Sequence, residues 1–484
     1  MNRLYENKWA ILMIVTLVSF VTNVDATIVV IGLPTVISDL HVNLVTGMWF
    51  ISSYLITSTI FLLPAGRLAD IIGTKRVFLW GFGIFTLATV MCGLANTGHM
   101  LIIFRLIQGL GAALALATAT PIMIQTFPKE QLGLAIGINS TSWVVGSILG
   151  PILGGALISK FGWQSIFFVS APFGLIALIG GWMLLKRTSN QNSIKMDWIG
   201  TLTFGLGLSF ILVLLSQGQT WGWTSSIVRW FLVGAGLCWF SFIITELRVE
   251  APLFNLKLFT NKLYSTGLAI TICYCIGYFS ITVLLSLYMQ SAQGLSPLES
   301  GMLLIPLSLP QLVMGPLGGK LADRFGPIRL LILGLALIAC SLLVLGTIDT
   351  HLSYPNIIIP LFAISIANGL AWPSLAKTVL SAAPTKEAGA ASGMFYTVYN
   401  IGRVISQTLT LIIIQIRVVP KVASTMLDGI SSETNKLSLV YVTDLGFRLY
   451  TVFFIIALLL GILLKRHQTK RELLISMATE TRGQ

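Results

Sequence analysis

Three ionisable residues lie inside long apolar stretches of this sequence, and one of them, Asp25, could take up and release a proton. Asp25 interrupts FVTNVDATIVVIGLP, and Arg105 and Arg403 interrupt two later stretches. A charged side chain inside a membrane is costly, and it usually faces the interior of a helix bundle and pairs with an opposite charge. Burial raises the pKa of a carboxyl group, whereas a nearby guanidinium lowers it. We therefore expect Asp25 and Arg105 to form a proton-coupling site; the alternative is an ion pair that only packs helices together.

The depth of these residues follows from the spans that carry them. At 1.5 Å per residue, Asp25 lies about 24 Å from the cytoplasmic start of its span, and Arg403 lies about 22 Å from the start of its own. Arg105 lies about 8 Å from the outer end of its span. All three residues are therefore expected in the outer half of a hydrocarbon core about 30 Å thick.

The composition places the chain in a membrane. Of its 484 residues, 55% are hydrophobic and only 10% are charged, and the mean hydropathy is +0.88. A soluble chain carries about 25% charged residues. The net charge of +13 is not concentrated in a basic run with interleaved aromatic residues, which argues against nucleic acid as a partner. The five cysteines lie in apolar runs and have no redox or zinc spacing, so we expect neither a metal nor a cofactor.

The hydropathy pattern predicts fourteen membrane-spanning helices. Their approximate bounds are 9–33, 45–65, 77–96, 100–124, 134–158, 165–185, 198–217, 227–246, 264–289, 298–318, 328–348, 356–381, 388–417 and 446–464. Most of the 30 basic residues fall in alternate loops and at the two ends of the chain. The positive-inside rule then places both termini in the cytoplasm. We expect an outer loop over 418–445 and a cytoplasmic tail after the last span.

An internal repeat divides the chain into two halves. GRLADIIGTKR at 66–76 recurs as GKLADRFGPIR at 319–329, and we expect each copy in a cytoplasmic loop after the second helix of its half. The fold class predicted is all-α, with two six-helix bundles and an inserted helix pair, a plan used by many secondary transporters. The predicted domains are 1–190, the inserted pair with its linkers at 191–262, and 263–484.

The repeated motif suggests a conformational latch on the cytoplasmic side. An aspartate is favoured at the N-terminus of a neighbouring helix, and the basic residues can bridge to carboxylates; simple positive-inside topology is the alternative for the basic residues. The predicted latch residues are Gly66, Arg67, Asp70, Gly73 and Arg76 in the first copy, and Gly319, Asp323, Arg324 and Gly326 in the second.

A glycine-rich strip, GSILGPILGG at 146–155, lies in the fifth span. Its members are Gly146, Gly150, Pro151, Gly154 and Gly155. Small residues spaced four apart allow close helix packing, and proline adds a kink. The strip is expected to serve both packing and gating.

Sequence motifs for common enzymes are absent. The chain has no phosphate-binding loop, nucleophile elbow or zinc-protease motif. We expect no enzymatic activity, and energy for transport would come from an ion gradient or from the gradient of the substrate.

Six motifs in order resemble the major facilitator superfamily, and specifically its fourteen-helix drug:proton antiporter family, which includes the EmrB and QacA multidrug exporters. DATIVVIGLP at 25–34 is similar to the first-helix signature, although Val30 replaces its asparagine. Trp49 and Tyr54 match the second-helix spacing, RLIQGLGAA at 105–113 resembles the arginine motif of helix 4, and GSILGPILGG resembles the antiporter motif. The other two are the repeated loop motif and GLSPLESGMLLIP at 294–306.

The resemblance implies a proton-coupled antiporter that exports amphipathic small molecules by alternating access. Its partners would be the substrate, protons and the lipid bilayer, and we expect a monomer in a bacterial cytoplasmic membrane. The acids that some relatives carry in later helices are missing, which favours neutral, zwitterionic or monocationic substrates. The alternatives are a dedicated exporter or importer of one metabolite, antibiotic or fatty acid, and a membrane sensor that moves nothing.

A substrate is expected near the midplane, between the two halves. The side chains predicted to line this cavity are Tyr54, Gln108, Asn139, Trp143, Trp372, Tyr396, Tyr399, Asn400 and Arg403.

Overall fold

The described residues form only helices and the turns that connect them. The computed structural model describes residues 8–42, 44–186, 196–249, 252–295, 297–349, 353–384, 387–417 and 433–480. The long helices in these ranges are α1 Lys8–Asp39, α2 Leu44–Ile72, α3 Thr74–Gly93, α4 Gly98–Thr126, α5 Lys129–Phe161, α6 Ser170–Leu184, α7 Trp198–Trp221, α8 Ser226–Arg248, α9 Lys262–Leu287, α10 Pro297–Phe325, α11 Pro327–Leu345, α12 Tyr354–Leu380, α13 Ala388–Arg417 and α14 Glu433–Glu480. A helical turn, Ser165–Phe168, precedes α6, and a π-helical turn, Tyr288–Ala292, extends α9.

Several helices begin at residues whose side chains cap the free backbone amides. The Thr97 side chain accepts a hydrogen bond from the Met100 amide at the start of α4, and Ser225 does the same for Val228 at the start of α8. Asn261 caps α9 through the Leu263 amide. Such caps satisfy backbone donors that have no partner within the helix, so the polar residues between the apolar stretches determine where these helices begin.

The all-α fold class predicted from the sequence is confirmed. Within the described residues, 13 helices are long and apolar enough to cross a membrane. They coincide with thirteen of the predicted spans. The remaining predicted span, 388–417, corresponds to the helix α13, which is not among the 13.

The repeated motif lies at the end of a helix and not in an extended loop, which corrects the prediction for 66–76 and 319–329. Helix α2 continues to Ile72, and α3 starts at Thr74. The single residue between them, Gly73, has φ of +95°, and Gly326 between α10 and α11 has φ of +88°. This left-handed backbone favours glycine, which explains why each copy ends one helix and begins the next within one residue.

The last helix is longer than predicted at both ends. Residues 433–445, predicted as part of an outer loop, already belong to α14, and so do residues 465–480 of the predicted tail. Leu439 and Val442 are buried, whereas Leu437 and Tyr441 are exposed. One side of this segment therefore packs against the protein, and residues from Leu439 onward belong to the candidate span that ends at Arg466. The rest of the predicted loop, 418–432, lies outside the described residues.

The chain divides into two compact units. The first comprises Met1–Leu258 and Ala383–Thr397, so that it includes the start of α13. Within it, α3 packs on α4 and α6, α2 packs on α4, and α1 packs on α5 and α6. The pair α7 and α8 pack on each other, and α7 contacts α2.

The second unit comprises Phe259–Ala382 and Val398–Gln484. Its helices pack in the same order as those of the first unit: α11 on α12 and α14, α10 on α12, and α9 on α14. This internal correspondence agrees with the sequence repeat. The predicted boundaries at 190 and 262 stay predictions.

Glycines allow a close contact between α3 and α4 in the first unit. A Cβ atom added to Gly111 would lie 2.8 Å from both the Gly81 carbonyl oxygen and the Phe85 Cα atom. A Cβ added to Gly81 would lie 2.5 Å from the Leu114 Cβ atom. These neighbours are largely backbone, which cannot rotate away, so α3 and α4 require glycine at the contact.

Gly111→Ala is expected to destabilise the protein because the new methyl group must push α3 and α4 apart. Overpacking of this kind costs about 1–3 kcal/mol. Gly236→Ala in α8 is the matched control, since its Cβ would meet nothing within 4 Å. Thermal unfolding can be followed with a thiol-reactive dye that labels the buried Cys92 and Cys275 as they become accessible. Equal melting temperatures for the two variants would refute the close-packing argument.

Candidate functional site

A fully buried ion pair joins α1 and α4. The Arg105 Nη1 atom lies 2.6 Å from the Asp25 Oδ2 atom, and the two side chains are 1% and 0% exposed. Asp25 and Arg105 were predicted from the sequence as a pair, and the structure brings them together. Because each charge neutralises the other, neither helix places a lone charge in an apolar environment.

Further hydrogen bonds engage other polar atoms of the pair. The Arg105 Nη1 atom also donates to Gln108 Oε1 at 2.6 Å, and Arg105 Nε donates to the Phe50 carbonyl oxygen at 2.8 Å. Gln108 Nε2 donates to Asp25 Oδ1 at 2.8 Å and to Thr89 Oγ1 at 2.7 Å. Both carboxylate oxygens of Asp25 therefore accept a hydrogen bond, and α1, α2, α3 and α4 all contribute to one network.

Two residues predicted to line a substrate cavity, Gln108 and Tyr54, contact this ion pair. Gln108 bridges Asp25 and Arg105, as described above. The Tyr54 ring lies 4.3 Å from the Arg105 guanidinium carbon, and its hydroxyl donates to the Thr22 carbonyl oxygen at 3.4 Å. The spacing of Arg105 and Gln108, one helical turn apart in α4, is the sequence signal for the bridging role. The sequence offers no comparable signal for Thr89 or for the Phe50 carbonyl oxygen.

Other predicted cavity residues of the first unit form separate contacts. Asn139 Nδ2 donates to Ser19 Oγ at 3.0 Å, which links α5 to α1. The Trp143 ring is stacked on Tyr396, with centroids 6.3 Å apart, and the Tyr396 hydroxyl lies 3.2 Å from Thr120 Oγ1.

In the second unit, several of the predicted cavity residues belong to a cluster of contacting aromatic rings. Trp372 and Tyr399 have ring centroids 5.1 Å apart, and Tyr399 contacts Phe279 at 5.4 Å. The Arg403 guanidinium carbon lies 5.2 Å from the Phe279 centroid. Asn400 is half-buried on the same helix as Arg403.

The first copy of the repeated motif holds the start of α13. The Asp70 carboxylate accepts hydrogen bonds from the Gly389 and Ala390 amides, both at 2.8 Å, where a helix N-terminus favours negative charge. A Cβ at Gly66 would clash with the Gly389 backbone. Arg67 is buried and its Nε atom has no hydrogen-bond partner within the described residues, while Arg76 is exposed.

The second copy makes a different contact. Asp323 forms an ion pair with Lys377, with 2.5 Å between Oδ1 and Nζ, which joins α10 to α12. Arg324 is exposed and lies over the Phe325 ring, and Gly319 is buried. The two copies thus share their backbone geometry but not their side-chain partners.

Two glycines of the α5 strip contact α1 beside Asp25. A Cβ at Gly146 would lie 3.2 Å from the Phe20 carbonyl oxygen, and one at Gly150 would lie 3.1 Å from Thr27 Cβ. Thr27 Oγ1 also donates to the Gly146 carbonyl oxygen at 3.3 Å.

Of the other members of the strip, Pro151 lies within the helix and Gly154 is buried. Gly155 is exposed, with nothing within 4 Å of an added Cβ.

Arg105→Gln is expected to lower stability by about 3–5 kcal/mol because it leaves the Asp25 charge buried and uncompensated. Asp25→Asn combined with Arg105→Gln should recover part of that loss, since no charge remains. The control is Arg448→Gln, which breaks the exposed pair with Asp444 and should cost less than about 1 kcal/mol. Thermal unfolding of the wild type, both single variants, the double variant and the control measures the coupling. Additive losses in the double variant would contradict a neutralised pair.

Comparison with known families and structures gives a consistent picture. Residues 15–407 match the sequence model of the Major Facilitator Superfamily. The chain is 31% identical over 397 residues to the tetracenomycin C resistance and export protein of Streptomyces glaucescens, covering 81% of this chain and 73% of that protein. It is 29% identical over 389 residues to the multidrug resistance protein Stp of Mycobacterium tuberculosis, covering 80% of this chain and 72% of that protein.

A solved structure supports the fold alone. The human organic anion transporter MFSD10 superposes with a TM-score of 0.66 at 13% identity, over 94% of this chain and 99% of that one.

Proposed function

This chain belongs to the Major Facilitator Superfamily, and we propose that it is a proton-coupled antiporter that exports amphipathic small molecules across the cell membrane. The superfamily consists of multi-pass membrane transporters of small molecules. The finer proposal places the chain in the fourteen-helix drug:proton antiporter family, as a monomer with both termini in the cytoplasm. The names of the two relatives, a resistance and export protein and a multidrug resistance protein, support export.

The observation that carries the proposal is the buried pair of Asp25 and Arg105. Both carboxylate oxygens of Asp25 accept hydrogen bonds from donors, Arg105 Nη1 on one side and Gln108 Nε2 on the other. A protonated carboxyl group carries an O–H that must itself donate. If Asp25 takes up a proton, the O–H would therefore face a donor unless the carboxyl group turns or its partners withdraw.

Proton uptake at Asp25 is thereby linked to a change in helix contacts. When Asp25 is neutral, the buried Arg105 loses its counter-charge, and a buried unpaired charge is strongly destabilising. The guanidinium would have to find another partner or gain access to water. A conformational change that opens the site to one side of the membrane provides such access, which is the coupling that an antiporter requires.

The contact between Asp70 and the start of α13 is proposed to stabilise one conformation of the transporter. Its two hydrogen bonds join residues far apart in sequence, and they would have to break if α13 moved away from α2. We also propose that the residues predicted from the sequence to line the substrate cavity do so.

A dedicated exporter of one compound is the second candidate. It is favoured by the relative named for resistance to tetracenomycin C alone. The proton coupling would be the same in both candidates, and only the range of substrates would differ.

Asp25→Asn is expected to abolish dye efflux from energised cells, with a loss of at least tenfold in the initial rate, because the side chain can no longer exchange a proton. The assay uses fluorescent amphipathic dyes that carry a negative charge, no net charge or one positive charge. A protonophore should stop wild-type efflux to the same extent. Asp444→Asn, which alters a carboxylate outside the buried network, is the control and should pump normally.

Undiminished efflux by Asp25→Asn would overturn the coupling role. Export of one dye alone by the wild type would favour the dedicated exporter.

A further inference from the structure

Arg105 and Arg403, which the sequence predicts deep in the membrane, have different surroundings. Arg105 is neutralised by Asp25 and donates to the Gln108 side chain and the Phe50 backbone. Arg403, on α13, takes part in no ion pair within the described residues. Its Nε atom is buried and has no hydrogen-bond partner there. Because a charge is costly at this depth, the guanidinium of Arg403 has an unsatisfied requirement for an anion.

Two carboxylates of the second unit form ion pairs, but with residues other than Arg403. Asp323 is paired with Lys377, at 2.5 Å, and Asp444 is paired with Arg448, at 2.8 Å. Arg403 exerts an electrostatic influence on the Cys275 thiol. Among the described residues, the protein itself therefore supplies no salt-bridge partner to Arg403.

Aromatic side chains lie beside the Arg403 guanidinium. Phe279 lies 5.2 Å from the guanidinium carbon, Tyr399 contacts Phe279 at 5.4 Å, and Trp372 contacts Tyr399 at 5.1 Å. Phe279, Trp372 and Arg403 are each partly exposed. Flat apolar surfaces thus remain accessible beside a guanidinium, and aromatic rings pair favourably with further rings at such distances.

We infer that Arg403 and the adjacent rings of Phe279, Tyr399 and Trp372 bind the carboxylate and the ring system of an aromatic substrate. The inference rests on the proposed function, since it assigns the class of molecule that the exporter would carry. A guanidinium can bind a carboxylate through two parallel hydrogen bonds, and it repels cations. Of the substrate classes that the sequence allowed, a zwitterion with an aromatic carboxylate fits this site, whereas a monocation does not.

Equilibrium binding of three matched compounds tests the inference. The protein is purified and placed in lipid nanodiscs at one pH, and scintillation proximity reports the binding of tritiated 2-naphthoate. Unlabelled 2-naphthoate, 2-naphthylmethanol and 2-naphthylmethylamine compete; they share a ring system and differ in charge. The wild type should bind the carboxylate at least tenfold more tightly than the alcohol or the amine.

Variants of Arg403 separate binding from folding. Arg403→Gln should lower the affinity for 2-naphthoate at least tenfold because the guanidinium is lost. The affinity for the alcohol should stay unchanged because the ring contacts remain. Arg403→Lys should retain part of the preference, since lysine keeps the charge but not the planar pair of donors. Arg448→Gln, which lies in the same unit and is already paired, should behave as the wild type. The unchanged affinity for the alcohol shows that the Arg403→Gln protein is folded.

Three results would overturn the inference: equal affinities of the wild type for the three compounds, full 2-naphthoate binding by Arg403→Gln, and no binding of any compound. The assay contains no pH gradient, so its outcome does not depend on proton coupling. If the wild type binds the carboxylate preferentially but its dye efflux is insensitive to a protonophore, the binding site is supported and the proposed antiport is contradicted.

Discussion

The neutralisation of one buried charge by another is the constraint on which the first unit depends. Asp25 and Arg105 lie on helices that are far apart in the sequence, and neither can remain in an apolar environment alone. Their contact therefore brings α1 and α4 together at one fixed depth. Gln108 and the Phe50 carbonyl oxygen complete the network, so that the pair has the additional hydrogen bonds that a buried ion pair needs to be tolerated.

Close helix contacts hold this network in place. A Cβ at Gly109 would lie 2.6 Å from the Tyr54 carbonyl oxygen, so glycine lets α4 approach α2 where the Tyr54 ring meets Arg105. Gly146 and Gly150 let α5 approach α1 around Asp25. In helices surrounded by lipid, such packing and hydrogen bonding drive association in place of the hydrophobic effect. The ion pair is therefore supported by backbone contacts that larger side chains would prevent.

Much of this arrangement could be predicted from the sequence because its determinants are local. The spans follow from hydropathy, and the pairing of Asp25 with Arg105 follows from their similar depth and opposite charge. The roles of Gln108 and Tyr54 at the pair could not be predicted, because the rotation of a helix about its axis depends on tertiary packing. The helical extension of α14 before residue 446 was missed because polar residues such as Asn435, Lys436 and Asp444 interrupt its apolar sequence. The separate partners of Asp70 and Asp323 were missed because the two similar motifs meet different neighbours in each unit.

The central claim is that Asp25 couples proton movement to substrate movement without being needed for the substrate movement itself. Proteoliposomes containing the wild type or Asp25→Asn, loaded with a dye that the wild type exports, separate these two roles. At equal pH on both sides, both proteins should exchange external labelled dye for internal dye at similar rates. With a pH gradient, only the wild type should accumulate the dye. Accumulation by Asp25→Asn under the gradient would contradict the account and would make the buried pair a structural feature alone.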